Sequence, residues 1–288
     1  MKKIALIMVL TLLLVPYKSE AQKNIFEAVI QKELSFQSNS TSNALVVQNI
    51  FGPITIEGYS GQAIQLEVKK KITADTEKGL ELGKTELDIA ILERGGRLII
   101  HPSAPYFEYN ENGLRFNWCD NSKEPSYRHW LSFKLKVPKN IRLNIGTVND
   151  GDIRIANTQG NYIKVNNVNG GIALNNVAGQ TNVHCINGEV DITYTDNPTK
   201  ASTYYSLNGD INIIYQNALS ADISFKSMNG ELFTDFDVTK QYTRTSRNEG
   251  KKDNGRYKYE ATPIVQIGKG GIDLDFETLN GNVYLKKI

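Results

Sequence analysis

The sequence predicts an all-β fold: a parallel β-solenoid, or β-helix, of coils of about 20 residues, preceded by a β-rich N-terminal region with one short helix. Three observations carry this. The first is a recurring phrase of apolar residue, Asn, Gly, one residue, then two apolar residues one apart. It stands as Val168-Asn169-Gly170-Gly171-Ile172-Ala173-Leu174, Ile186-Asn187-Gly188-Glu189-Val190-Asp191-Ile192, Leu207-Asn208-Gly209-Asp210-Ile211-Asn212-Ile213 and Leu279-Asn280-Gly281-Asn282-Val283-Tyr284-Leu285. A looser copy starts at Met228-Asn229-Gly230, and a copy one residue longer at Val148-Asn149-Asp150-Gly151. The second is spacing: Asn149, Asn169, Asn187, Asn208, Asn229 and Asn280 lie 20, 18, 21, 21 and 51 residues apart. The third is registration. The residue two before each Asn is small or polar (Thr147, Asn167, Cys185, Ser206, Ser227, Thr278), and the one directly before it is apolar (Val148, Val168, Ile186, Leu207, Met228, Leu279). Stacked coils put equivalent residues above one another and produce such columns. A meander of hairpins, the usual meaning of Asn-Gly between strands, reverses every second strand and does not require them. The apolar column is therefore expected to be a buried ladder, with the Asn residues in a row beside it. Positive φ at a sharp corner is the expected reason for Asn-Gly.

The elements follow in chain order. Residues 1–21 pair Lys2 and Lys3 with an apolar run from Ile4 to Val15 and end on Ser19-Glu20-Ala21, the pattern of a secretory signal peptide cleaved after Ala21. The run is shorter than the about 20 residues that span a bilayer, and no membrane segment is expected after cleavage. Without residues 1–21 the 33 basic and 31 acidic residues become 30 and 30. A neutral mature chain argues against nucleic acid as a partner.

A β-rich region is expected over 22–140. Alternating runs at Ala44–Val47, Ile54–Ile56 and Ile64–Val68 read as strands, and Phe51-Gly52-Pro53-Ile54-Thr55-Ile56 as a worn copy of the repeat. Ala74 to Leu87 reads as the one helix, with Asp75 as its N-cap. Gly79 and Gly83 weaken it by about 1 kcal/mol each relative to Ala. Arg94-Gly95-Gly96-Arg97 joins Asp88–Leu92 and Leu98–Ile100 as a hairpin, and Phe133–Val137 is a further strand closed by Pro138. Between them, 101–130 is an aromatic insertion. Tyr106, Tyr109, Trp118 and Trp130 are its candidate ligand-binding residues, as a platform for a glycan or protein. The alternative is that the insertion folds over the open first coil.

The solenoid repeat domain is expected over 141–288, interrupted at 237–262 by a polar insertion. That insertion carries Lys240, Arg244, Arg247, Lys251, Lys252, Arg256 and Lys258. Such a run contacts acidic glycans or lipid headgroups, or is simply a solvated loop.

Chemistry-bearing residues are few. The three histidines, His101, His129 and His184, show no metal-ligand spacing, and His184 should point outward from its strand. Neither a G-x-S-x-G nor a Walker loop occurs. Export permits a Cys119–Cys185 disulfide, whereas the place of Cys185 in the small-residue column suggests a coil corner. Glu189, Asp210 and Glu231 follow Asn-Gly and are expected on three successive coils. There they could share a divalent cation, Ca²⁺ by its taste for oxygen ligands, or lie as a solvated acidic corner.

The repeat phrases, with Ile267-Gly268-Lys269-Gly270-Gly271 and Thr278 through Val283, resemble a bacterial cell-envelope family. It is the "putative adhesin" family of β-strand-repeat proteins, related to head-domain auto-transporter adhesins. Trp118 and Phe133–Asn140 are similar to its Bacteroidetes-type members. The resemblance covers about half the chain, residues 140–288. It implies a right-handed β-solenoid, export and no known catalysis, and it supplies no catalytic residues. The expected function is that of an exported, non-catalytic envelope or surface protein with an adhesin-like interaction role. Its place is then the periplasm, the outer membrane or the cell exterior, and its partner an envelope or surface protein or a glycan. The alternatives are a carbohydrate-active β-helix enzyme similar to polysaccharide lyases, and a purely structural envelope component.

Overall fold

Two alternating runs per repeat should give each coil one strand in each of two sheets, and the chain does this along most of its length. The computed structural model describes residues 24–38, 40–110, 113–116, 125–253 and 256–288. In the N-terminal half the elements are β1 (Asn24–Leu34), β2 (Ala44–Gln48), β3 (Ile54–Tyr59), β4 (Ile64–Ala74), α1 (Glu77–Glu86), β5 (Asp88–Arg94), β6 (Arg97–Ser103), β7 (Phe107–Asn110), β8 (Gly113–Phe116) and β9 (Arg128–Pro138). The repeats supply β10 (Arg142–Thr147), β11 (Ile153–Ala156), β12 (Tyr162–Asn169), β13 (Ile172–Val177), β14 (Gln180–Asn187), β15 (Val190–Tyr194), β16 (Ser202–Asn208) and β17 (Ile211–Tyr215). The chain ends with β18 (Ala221–Lys226), β19 (Leu232–Thr234), β20 (Val238–Asp253), β21 (Arg256–Ile267), β22 (Asp273–Asn280) and β23 (Val283–Lys287). The signal-peptide segment 1–21 lies outside the described residues. Among the described residues no helix is long and apolar enough to cross a membrane.

One sheet runs β1-β4-β9-β3-β11-β13-β15-β17-β23-β19; the other runs β20-β21-β18-β22-β16-β14-β12-β10-β2-β6-β5. From β9 to β19 in the first and from β18 to β6 in the second, every neighbouring pair is parallel. This is the stacking expected from the columns.

Three expectations need correction. Coils do not begin at 141: β2 and β3 pair in parallel with β10 and β11, so the worn copy at Phe51 belongs to the stack. Nor is chain order stacking order. The last pair, β22 and β23, lies between β16/β17 and β18/β19. At the other end β2 and β3 are likewise covered by the later β6 and β9. Finally, the basic segment 237–262 is not a loop: most of it lies in an antiparallel hairpin, β20–β21, attached to β18 over Ile264–Ile267.

The ladder is displaced by one position. Val148, Val168, Ile186, Leu207 and Leu279 are only half-buried, and Met228 is 76% exposed. Strand alternation explains this. Ile163, Val165 and Asn167 of β12 face the core, so Val168 cannot. The small polar column points inward because it must bond the corner carbonyls. Thr147 donates to Gly52 O (2.9 Å), Asn167 to Gly151 O and Gly171 O (3.1 Å each), Ser206 to Gly188 O (3.2 Å) and Thr278 to Gly281 O (2.8 Å). Cys185 does the same with its thiol, to Gly170 O and Gly188 O at 3.4 Å each. Burial raises that thiol to about 11. Cys119 lies outside the described residues.

The asparagines form the outer ladder. Each side-chain amide donates to the next asparagine oxygen: Asn169 to Asn149 (2.7 Å), then Asn187 to Asn169, Asn208 to Asn187, Asn280 to Asn208 and Asn229 to Asn280 (2.8 Å each). Glycine follows for two reasons: Gly170, Gly209 and Gly281 carry the positive φ expected of the corner, at +154°, +149° and +158°, and these corners leave no room for a side chain. A Cβ on Gly188 would stand 2.3 Å from Gly170 O, and one on Gly209 2.2 Å from Gly188 O.

The core lies between the two sheets. Leu174, Ile192, Ile213 and Leu285 stack on one side, and Val165, Val183, Tyr204 and Phe276 on the other, all buried. The tyrosine hydroxyls satisfy one another: Tyr194 and Tyr204 are 2.7 Å apart, and Tyr215 donates to Tyr204 at 3.2 Å. Helix α1 packs on β4 and β1 of the first sheet and against Tyr127 of the aromatic run, burying Leu80. Its N-cap is Thr76, which accepts from Gly79 N (3.1 Å), not Asp75. Gly83 permits close packing there, since a Cβ would meet Tyr127 and Ile72 at 2.7–2.8 Å.

Candidate functional site

The acidic corner does not gather three carboxylates. Asp210 is followed in the stack by Asn282, and Glu231 comes only after that, because the last coil is interposed. The position serves backbone instead. Asp152 Oδ1 accepts from Gly171 N (2.9 Å), Asp210 Oδ1 from Asn282 N (2.7 Å) and Asn282 Oδ1 from Glu231 N (3.0 Å). Among the described residues no group of three ligating side chains is placed to hold a metal.

The aromatic residues are spent on packing. Tyr106 lies against Phe107, Phe116, Tyr127 and His129, with ring centroids 4.8–6.0 Å apart, and Tyr109 stacks on His101 at 4.7 Å. Trp130 is half-buried and its indole reaches Asp150 O at 3.4 Å. Trp118 lies outside the described residues. The hairpin β7–β8 sits over the corner of β2, where Leu114 N donates to Gln48 Oε1 (2.6 Å) and Phe116 meets Phe51.

This packing has a pH consequence. Burial lowers the His129 imidazole to about 4, while one ring nitrogen stands 3.2 Å from the Tyr106 hydroxyl and Nε2 has no partner. The folded chain keeps it neutral, whereas the unfolded chain takes up a proton near its ordinary value of 6.5. Acid therefore favours unfolding. Stability should be full above pH 6.5, fall as pH drops and level off below about 4, by at most about 3 kcal/mol. His101, also lowered by burial, acts in the same direction. Melting temperatures at pH 7 and pH 4.5 test this: the acid loss should shrink in His129→Phe, and an unchanged loss would place its source elsewhere.

A groove built jointly by the coil stack and an appended element lies on the outer face of the second sheet. Alternation puts Asp273, Asp275 and Glu277 of β22 on that face, beside Asp222, Ser224 and Lys226 of β18 and Thr203 and Tyr205 of β16. The base of the β20–β21 hairpin folds over it. Asp222, 9% exposed, accepts from Gly271 N (3.0 Å) and Gln266 Nε2 (3.1 Å), and Arg244 Nη2 lies 2.8 Å from Asp273 and 4.0 Å from Asp222. Burial pushes the Asp222 carboxyl up, but Gly271, Gln266, Tyr242 and Arg244 outweigh it and hold it below the usual carboxylate range. The pinned hairpin leaves a groove of about 320 Å³ with Arg244, Thr262 and Ile264 on one wall. Ser224, Lys226, Asp275 and Glu277 line its floor, with Ser224 donating to Asp275. Tyr205 forms the other wall. His184, outward and exposed as expected, stacks on one face of that ring at 4.4 Å and 9°. Since His184 lies on β14 and the groove on the β22 side, the opposite face of Tyr205 looks into the groove.

No single phrase in the sequence marks this site. The period-two pattern of Asp273, Asp275 and Glu277 was available as a signal, but its partners depend on the displaced coil order.

Among known proteins, the family model of the Toastrack domain, Toastrack DUF4097, matches residues 139–263. No curated protein matches the chain. Among solved structures, a "putative cell adhesion protein" of Clostridium sporogenes is similar at 11% identity and a TM-score of 0.39, over 91% of this chain and 100% of that one. A "putative adhesin" of Bacteroides fragilis is similar at 9% and 0.34, over 91% and 97%. A "putative lipid binding protein" of Parabacteroides distasonis is similar at 13% and 0.37, over 90% and 96%.

Proposed function

We propose that this Toastrack-domain protein is an exported, non-catalytic cell-envelope or surface protein whose β-solenoid is a rigid scaffold for recognition, in the manner of an adhesin. The observation that carries the reading is the groove under the β20–β21 hairpin. A stack of coils held by repeated amide ladders is uniform along its length, and the β20–β21 hairpin breaks that uniformity beside β18. It does so with charged, hydroxylic and aromatic side chains facing outward. Binding sites characteristically combine a rigid scaffold with an irregular appended element. The signal-like segment 1–21 supports export.

Fractionation of cells producing the full chain with a C-terminal tag tests both parts. The chain should enter the envelope or extracellular fraction, and removal of residues 1–21 should retain it in the cytoplasm. Purified chain should also bind envelope material less when 243–262 is replaced by a short turn. Cytoplasmic residence of the full chain, or envelope binding indifferent to the hairpin, would count against the reading. The enzyme alternative is tested on the same preparation: new unsaturated or reducing ends appearing in added polysaccharide over time would replace the binding role by catalysis.

A further inference from the structure

We infer that the groove between Tyr205 and the β20–β21 hairpin is a binding site for a neutral glycan, an inference that rests on the recognition role proposed above. A sugar ring presents an apolar C–H face and a rim of hydroxyls, each both donor and acceptor. The groove offers the complement. The face of Tyr205 left open by His184 is a flat apolar wall for the C–H face. Asp275 and Glu277 lie two residues apart on one face of β22 and supply acceptors for hydroxyl protons. Lys226, opposite Glu277 in the register, supplies a donor, and the size suits a small ligand.

Charge separates this ligand from its competitors. Arg244 is engaged by Asp273 and Asp222, so its cation is already matched. Among the described residues, what remains facing the groove is Lys226 against Asp275 and Glu277, a floor with more acid than base. Uronates, sialylated sugars and nucleotides would bring a further negative charge to that floor and are repelled. A small organic cation would be attracted to the acids and to the aromatic face, and is the competitor that the experiment must separate.

The experiment titrates the purified chain by calorimetry. Its ligands are neutral hexose oligomers (glucan, mannan, xylan and chitin fragments), uronate oligomers and tetramethylammonium. One neutral series should bind, the uronates not. Tyr205→Ala should weaken that binding by about tenfold or more, as should Asp275→Asn, both with unchanged circular dichroism. Tyr162→Ala, on the same face but away from the groove, should leave it unchanged. Absence of binding by every neutral series, equal affinity in Tyr205→Ala, or preference for the uronates or the cation would overturn the glycan assignment. Envelope association that persists in Tyr205→Ala would leave the broader recognition role standing, so the two failures are distinct.

Discussion

Removal of residues 272–288 should unfold the C-terminal half of the chain, not shorten it by one coil. By chain order these residues would be an end, and a stack of repeats tolerates loss of an end. By spatial order they are interior. β22 pairs with β16 on one side and β18 on the other, and β23 with β17 and β19. Leu274, Phe276, Val283 and Leu285 are all fully buried. At about 1.5–3 kcal/mol for each such side chain, their loss amounts to roughly 6–12 kcal/mol. That is as large as the whole stability of a typical domain, about 5–15 kcal/mol. The deletion would also strip Phe276 from Tyr204 and leave β18, β19 and the hairpin with no sheet to join. Excision of the hairpin tip, 247–258, removes a comparable length but touches none of these pairings. The measurement is circular dichroism and limited proteolysis of the two truncations side by side. A 272–288 deletion that melts within a few degrees of the intact chain would mean that the last coil does not sit between the two others.

The contrast between these truncations shows where the sequence is legible. Repeat identity is local: Asn169, Asn187, Asn208 and Asn280 announce a coil wherever they occur, because an amide ladder needs the same side chain at the same corner. Coil order is not local. Nothing in Leu279-Asn280-Gly281 distinguishes a partner at Asn208 from one at Asn229, and the amide of Asn280 and the amide of Asn229 make equivalent bonds. The long gap before Asn280 signals an insertion, and its polar, basic composition hides a hairpin because neither face of the strand over 238–246 is buried. The groove suffered twice from this. Its acids are on β22, whose neighbours follow from coil order, and its wall is on the hairpin. The aromatic run is ambiguous for another reason: clustered rings look the same in sequence whether they face a ligand or, as with Tyr106 and His129, each other.

Side-chain parity leads to a pair of substitutions with opposite outcomes. The apolar column containing Ile186 repeats perfectly, yet it is half-buried on the outer side, while Val183, three residues earlier, is 2% exposed and packs in the core. Alternation fixes this: Thr181, Val183 and Cys185 share the inward face of β14. Val183→Asp should therefore place a carboxyl between the Val165 and Tyr204 positions of the neighbouring coils, where no donor awaits it. The lost burial is about 1.5–3 kcal/mol. Burial of an unpaired polar group adds several kcal/mol even after the acid takes up a proton. Together these reach the stability of the domain, and the variant should be unfolded or insoluble. Ile186→Asp puts its carboxyl on the solvent side of the same strand, and should cost no more than about 1–2 kcal/mol in lost partial burial. Thermal melts of the two variants decide the parity. A folded Val183→Asp protein beside an unfolded Ile186→Asp protein would invert every strand of that sheet.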